Sequence, residues 1–142
     1  MATTSYAAPG QKYVSPDDLL TAILALARKD SGQETFRFRG HDSDLQAIFR
    51  HLVDQSGSSL LSSFVYSYSG PEPYCPTLTE AVSRLQLAGL LGRENPDYQV
   101  ILVRPAAGEY FDNVLRHHLT ADDIDELDQV ARRFLDIVSH DD

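Results

Sequence analysis

The segment of residues 77–103 constrains the fold most, because a helical pattern is followed directly by the pattern of a two-stranded hairpin. Thr77 and Glu80 have the spacing of a capping box and predict a helix that begins there. The apolar positions after the cap recur at helical spacing and form one face: Leu78, Ala81, Val82 and Leu85. A turn signal at residues 95–97 and an extended apolar run at residues 98–103 predict the hairpin. This order of elements is the core of a winged helix-turn-helix.

The rest of the chain predicts four more helices and two short strands. Ser15-Pro16-Asp17 combines a serine cap with a proline in the first turn, and predicts a helix that Asp30-Ser31-Gly32 ends. Further helices are predicted from Asp42 or Ser43, from Ala106 and from Thr120. Alternation predicts a strand at residues 35–39, and aromatic residues at alternate positions predict another within residues 60–68. We therefore expect an α+β fold, dominated by helices, with a winged helix-turn-helix-like core, a small antiparallel sheet and two C-terminal helices.

The 142 residues are expected to form a flexible leader, residues 1–14, and a single winged-helix-like domain, residues 15–142. A hydrophobic content of 42% and a charged content of 23% are typical of a globular protein, and no apolar run is long enough to cross a bilayer. The first residues lack the basic start and apolar run of a signal peptide. A single cysteine, Cys75, excludes an internal disulfide. These features together predict a cytoplasmic protein without membrane contact.

The negative charge of the chain is concentrated towards its C-terminal end. Residues 120–142 contain eight acidic and two basic side chains, and therefore contribute −6 of the net charge of −9. Nucleic-acid binding depends chiefly on neutralising phosphates, so an acidic chain is poorly suited to DNA. A local basic face would still permit DNA binding, and the overall charge leaves the choice open.

Six side chains would form a DNA-binding surface if the helix at residue 77 were a recognition helix. Arg84 and Gln86 carry the hydrogen-bonding groups that read guanine and adenine, and arginines on the hairpin would contact phosphates. The full set is Thr79, Ser83, Arg84, Gln86, Arg93 and Arg104. A second basic group, near the first helix and the strand after it, comprises Arg28, Lys29, Arg37, Arg39 and Arg50. The competing interpretation is that all of these are ordinary solvated side chains.

Short motifs follow one another in a fixed order through the middle third of the chain. Leu45-Gln46-Ala47 precedes an aromatic Phe64-Val65-Tyr66, and Gly70-Pro71 and Tyr74 lead into a helix that ends in Gly89-Leu90-Leu91. In this order the motifs resemble bacterial YwgA-type and Panacea-type domains. Two departures from the resemblance are the two residues between Gly70-Pro71 and Tyr74, and an alanine where a basic residue is usual after Leu-Gln.

The resemblance implies a helical, winged-helix-like accessory domain of bacteria, and Panacea-type members are associated with toxin–antitoxin systems. It carries over no catalytic residue. We therefore expect a non-enzymatic regulatory or antitoxin-like accessory protein that acts by protein–protein interaction. A winged-helix DNA-binding transcriptional regulator is the alternative, because the fold alone does not choose between these functions.

Two surfaces are predicted to contact a protein partner. The first is an aromatic and proline-rich loop, which comprises Tyr66, Tyr68, Pro71, Pro73 and Tyr74. The second is the acidic face of the last helix, which comprises Asp122, Asp125, Glu126 and Asp128. An acidic face would steer a basic partner towards the chain or mimic nucleic acid. Packing within the chain or a homodimer contact is the alternative for the loop, and a solvated polar face is the alternative for the helix.

Side chains with catalytic or metal-binding chemistry are few, and we expect neither enzymatic activity nor a bound metal or cofactor. His117 and His118 are adjacent, so on a helix they diverge by about 100° and cannot readily hold one ion. The sequence contains neither a His-Glu-x-x-His motif nor a Gly-x-Ser-x-Gly elbow. Cys75 precedes a predicted helix start, where the dipole favours a reactive thiolate, although cysteine is commonly just a small buried residue.

Overall fold

The computed structural model describes residues 14–40, 42–56, 59–68, 70, 73–94 and 100–140. These residues form five α-helices: α1 (Pro16–Ser31), α2 (Asp42–Ser56), α3 (Pro76–Leu87), α4 (Pro105–Asn113) and α5 (Ala121–His140). They also form three strands, β1 (Phe36–Arg39), β2 (Leu91–Glu94) and β3 (Val100–Val103), and two short 3-10 turns at Ser59–Ser63 and Leu115–His118. The α+β class with dominant helices, a small antiparallel sheet and two C-terminal helices is thus confirmed.

The three strands make one antiparallel sheet in the order β1-β3-β2. Strands β2 and β3 form the predicted hairpin, with Leu91 opposite Val103, and β1 pairs with the other edge of β3. Residues directly opposite one another point to the same face of a sheet. Phe36, Leu91 and Val103 therefore share the inner face, where all three are buried.

Helix α1 is the centre of the fold. The hydroxyl of Ser15 accepts the Asp18 N–H at 3.2 Å, and Gly32 ends the helix with a φ of 75°, a left-handed conformation that suits glycine. The sequence predicted one apolar stripe on this helix. Every residue from Leu19 to Ala27 is buried instead, because α3, α4 and α5 all pack around α1. A helix that is apolar on all sides is stable only inside such a shell.

Aromatic rings connect the sheet to α2 and α5. Phe134 of α5 lies edge-on to Phe38 of β1, with ring centroids 5.0 Å apart, and 5.8 Å from Phe49 of α2. Phe64 packs against Phe49 at 5.8 Å. The predicted cap of α5 is confirmed, because the Thr120 hydroxyl accepts the Asp123 N–H at 3.0 Å and the Asp123 carboxylate accepts the Thr120 N–H at 3.1 Å.

Two local predictions are wrong. Helix α3 begins at Pro76, so Thr77 lies inside its first turn rather than at the cap. The N-cap is Cys75, which makes no side-chain capping bond in the described part of the chain. Proline suits the first helical position because its φ is already helical and it has no N–H to satisfy.

The strand predicted within residues 60–68 does not form either. Residues 59–63 make a 3-10 turn, and the one bridge that the described residues show after it joins Ser67 and Tyr74. In the described part of the chain no strand lies beside this segment, and extended backbone becomes sheet only when a second strand pairs with it.

Several predictions fall wholly or partly outside the described residues, among them the turn predicted at residues 95–97 and the start of the run predicted at residues 98–103. The leader was predicted for residues 1–14, of which only Val14 is described, and Pro71 of the aromatic loop is not described. The single domain predicted for residues 15–142 stays a prediction. None of the helices in the described ranges combines the length and apolar character needed to span a bilayer.

Candidate interaction surfaces

The aromatic loop, defined here as residues 64–75, is closed by a pair of backbone hydrogen bonds. The Ser67 N–H donates to the Tyr74 carbonyl at 2.8 Å, and the Tyr74 N–H donates to the Ser67 carbonyl at 3.0 Å. Ser67 and Tyr74 are therefore held side by side, and this pairing sets the direction in which the neighbouring side chains point.

Gln46 of α2 fastens the base of this loop to the rest of the molecule. Its Oε1 accepts the Cys75 N–H at 2.7 Å, and its Nε2 donates to the Cys75 carbonyl at 3.0 Å and to Thr79 Oγ1 at 2.9 Å. Gln46 is only 6% exposed, and its side-chain amide forms hydrogen bonds with both the N–H and the carbonyl of the buried Cys75. A buried polar group that is fully bonded in this way fixes the local geometry.

Two tyrosine hydroxyls extend the network around Gln46. Tyr66 donates to the Gln46 carbonyl at 2.9 Å, and Tyr74 donates to Thr79 Oγ1 at 3.0 Å. Burial raises the pKa of Tyr66, which keeps the phenol protonated as a donor. Tyr66 was predicted to contact a partner, but the structure places it mainly against its own chain.

The loop exposes three large apolar side chains. Val65 is 69% exposed, Tyr68 is 64% exposed and Tyr74 is 40% exposed, whereas Pro73 is half-buried. The sequence prediction included the two tyrosines but missed Val65. The missed signal was its position between Phe64 and Tyr66, which both turn inward and leave an aliphatic side chain facing solvent. We call Val65, Tyr68 and Tyr74 the loop patch.

Four of the six side chains proposed to read or contact DNA are engaged within the chain. Arg84 makes two hydrogen bonds to the Asp17 carboxylate, at 2.6 and 2.8 Å. Gln86 accepts from Arg93 at 3.2 Å, and Arg93 also donates to the Gly40 carbonyl at 2.9 Å. The fourth is Thr79, which bonds Gln46 and Tyr74. These contacts hold α3 against α1 and against the sheet.

The remaining two candidates, Ser83 and Arg104, are exposed, and Arg104 lies apart from α3. A Cβ at Gly92 would meet the Arg104 guanidinium, so this side chain lies across the outer face of the sheet. Arg37 faces the same way, because its partner Leu102 is also the partner of Gly92.

Arg39, opposite Val100, completes an outer-face group of three arginines. Val100 also pairs with Glu94 of β2, so Glu94 lies in the same cross-strand row as Arg39. The sequence had placed Arg37 and Arg39 in a different basic group, because strand register is not visible in it.

The acidic residues predicted on α5 divide into two sets. Asp122 and Asp125 are exposed and Glu126 is half-buried. Asp128 belongs to a cluster within the chain: it accepts from Arg132 at 3.0 Å and lies beside Asp30 of α1. Burial raises the pKa of Asp30, and its hydrogen bond to Asp128 raises that pKa further. Asp122 and Asp125 therefore remain the better candidates for contact with a partner.

Cys75 and the adjacent histidines His117 and His118 lie in different surroundings. Cys75 is completely buried, and burial raises the pKa of its thiol, which favours the structural role over the redox-sensing one. His117 and His118 are exposed on the second 3-10 turn. Within the described ranges, no three His, Cys, Asp or Glu side chains are placed to hold a metal ion.

Comparison with protein-family models, with curated proteins and with solved structures finds no match for this chain. The resemblance to YwgA-type and Panacea-type domains accordingly stays a prediction.

Proposed function

We propose that this protein is a non-enzymatic regulatory accessory, antitoxin-like in its mode of action, that binds a protein partner through the loop patch. The observation that carries the proposal is the exposure of Val65, Tyr68 and Tyr74 on a loop whose base is fastened by Gln46. Aromatic side chains are enriched at protein interfaces because they bury a large area and still offer a polar atom.

The hydrogen bonds that hold the aromatic loop in place support the proposal as much as the exposure of the loop patch does. Ordering a loop on binding costs conformational entropy, and a loop already held in one geometry avoids most of that cost. The bridge between Ser67 and Tyr74 and the amide of Gln46 supply this order before any partner arrives. Asp122 and Asp125 on α5 would add long-range attraction for a basic partner.

Site-specific photo-crosslinking in the native host tests the proposal. A benzophenone amino acid at Tyr68 is expected to give a discrete crosslinked product that the same group at Glu109, an exposed position on α4, does not give. The product should diminish when Val65→Ser is added. Equal products at the two positions, or none at Tyr68, would contradict the proposal. A product of twice the chain mass from the purified protein would identify a homodimer instead.

A DNA-binding regulator with a winged-helix-like core is the second candidate, and one observation favours it. Arg37, Arg39 and Arg104 share the outer face of the sheet, next to the β2–β3 hairpin. The net charge of −9 and the engagement of Arg84 with Asp17 weigh against it. Fluorescence polarisation with a duplex at low and high salt separates the candidates. Salt-sensitive binding that Arg37→Ala and Arg39→Ala weaken would favour DNA, and its absence would exclude it.

A further inference from the structure

A groove separates the start of α1 from the end of α4 and the 3-10 turn that follows. Its volume is about 460 Å³, which falls within the range of small-molecule sites. Four of the described residues that line it are aliphatic: Val14, Val114, Leu115 and Leu119. Val114 is 38% exposed at the mouth because the chain leaves the α4 helical path there, with φ −121° and ψ −63°.

One carboxylate stands in this apolar surrounding. Asp18 Oδ1 accepts the Tyr110 hydroxyl at 3.1 Å, and both residues line the groove together with His118. Among the residues that the structure describes, no hydrogen bond reaches Asp18 Oδ2. The neighbouring Asp17 is already paired with Arg84, so Asp18 is the carboxylate of the first turn that the groove can use.

We propose that this groove binds a small organic cation, an ammonium group attached to an apolar body. The ammonium group would donate to Asp18 Oδ2, and the apolar body would cover Val114, Leu115 and Leu119. A charge-assisted hydrogen bond next to apolar walls is stronger than one in open water. Tyr110 lines the same groove, and aromatic rings attract cations. The site lies on elements other than the aromatic loop, so the inference is independent of the proposed function.

A matched pair of probes tests the charge requirement. Phenethylamine and phenethyl alcohol have the same apolar body and differ in the ammonium group. In amide NMR titrations of the full chain, phenethylamine should shift the signals of Asp18, Tyr110 and Val114 along a saturable curve. The alcohol should bind about tenfold more weakly, the factor expected for loss of one hydrogen bond to a charged group. Equal affinities, or no saturable shift at these residues, would overturn the proposal.

Two variants and a control complete the experiment. Asp18→Asn keeps an acceptor for Tyr110 and should abolish the preference for the amine over the alcohol. Val114→Lys places a positive charge at the exposed mouth and should abolish amine binding without disturbing the core. Asp125→Asn removes an exposed carboxylate of α5 and should leave both affinities unchanged. Retention of the preference in Asp18→Asn, or unchanged amine affinity in Val114→Lys, would also overturn the proposal.

Discussion

The side-chain amide of Gln46 pairs with both backbone polar groups of Cys75, which lies 29 residues further along the chain, at 2.7 and 3.0 Å. This pairing joins α2 to the residue that precedes α3, and it sets the position of the loop between the first 3-10 turn and α3. The loop patch, the start of α3 and the hydroxyl of Thr79 all depend on it.

Removal of this amide should be among the more damaging polar substitutions in the protein. Gln46→Leu leaves the buried Cys75 N–H without a partner and removes one of the two hydrogen bonds to the Cys75 carbonyl, which keeps the one from the Leu78 N–H. We expect a loss of about 2 kcal/mol in the free energy of unfolding. Urea denaturation measures it. The matched control is Gln129→Leu at an exposed position of α5, which should change stability little. Similar losses in the two variants would show that the pairing is not important for stability.

The two tyrosines that flank Ser67 should respond differently to loss of their hydroxyls. Tyr66→Phe removes the hydrogen bond to the Gln46 carbonyl and should cost about 1 kcal/mol in the free energy of unfolding. Tyr68→Phe should cost nothing measurable, because that side chain is 64% exposed. Thermal or urea unfolding of the two variants makes the comparison. A greater loss in Tyr68→Phe would mean that the roles of the two rings are reversed.

The Asp30–Asp128 pair should make stability depend on pH. The pKa of Asp30 is raised above its ordinary value of 3.8, first by burial and then by Asp128, so the folded chain keeps this proton to a higher pH than the unfolded chain. Its stabilising contribution is therefore complete below pH 3.8 and is lost as the pH rises through the raised value.

Asp30→Asn should remove this dependence and, after allowance for solvent screening, increase stability near neutral pH by about 0.5 kcal/mol. Urea denaturation at a series of pH values measures it, with Asp125→Asn as the control. A variant that is less stable than the natural chain at neutral pH would mean that attraction to Arg132 outweighs the repulsion between the carboxylates.

The thiol of Cys75 should react only when the structure opens. The side chain is completely buried and its pKa is raised by burial, so both access and thiolate formation are disfavoured in the folded chain. Mass spectrometry after mild peroxide or iodoacetamide should find Cys75 unmodified, and the same treatment in urea should modify it fully. Rapid modification of the folded protein would restore the redox-sensing interpretation.

The candidate site was predictable only in part. Tyr68 and Tyr74, which the sequence placed on an interaction surface, are both exposed, since proline and aromatic residues between helices are a local signal. The sequence suggested that Arg84 faces DNA. The ion pair that it makes instead was not predictable, because its partner Asp17 lies 67 residues away and no local pattern connects the two. Val65 was missed although a local signal was present, because it alternates with Phe64 and Tyr66, which both turn inward.

Local sequence signals were enough to predict the elements whose ends depend on neighbouring residues. The Ser15 cap and the glycine at position 32 bound α1, the reciprocal hydrogen bonds of Thr120 and Asp123 begin α5, and β2 and β3 pair as the hairpin pattern predicted. Which side chains remain exposed could not be predicted in this way, because it depends on how the whole chain packs. Exposure depends on partners that are distant in the sequence, and hydrogen bonds such as that of Gln46 to Cys75 form only once helices from different parts of the chain have packed together.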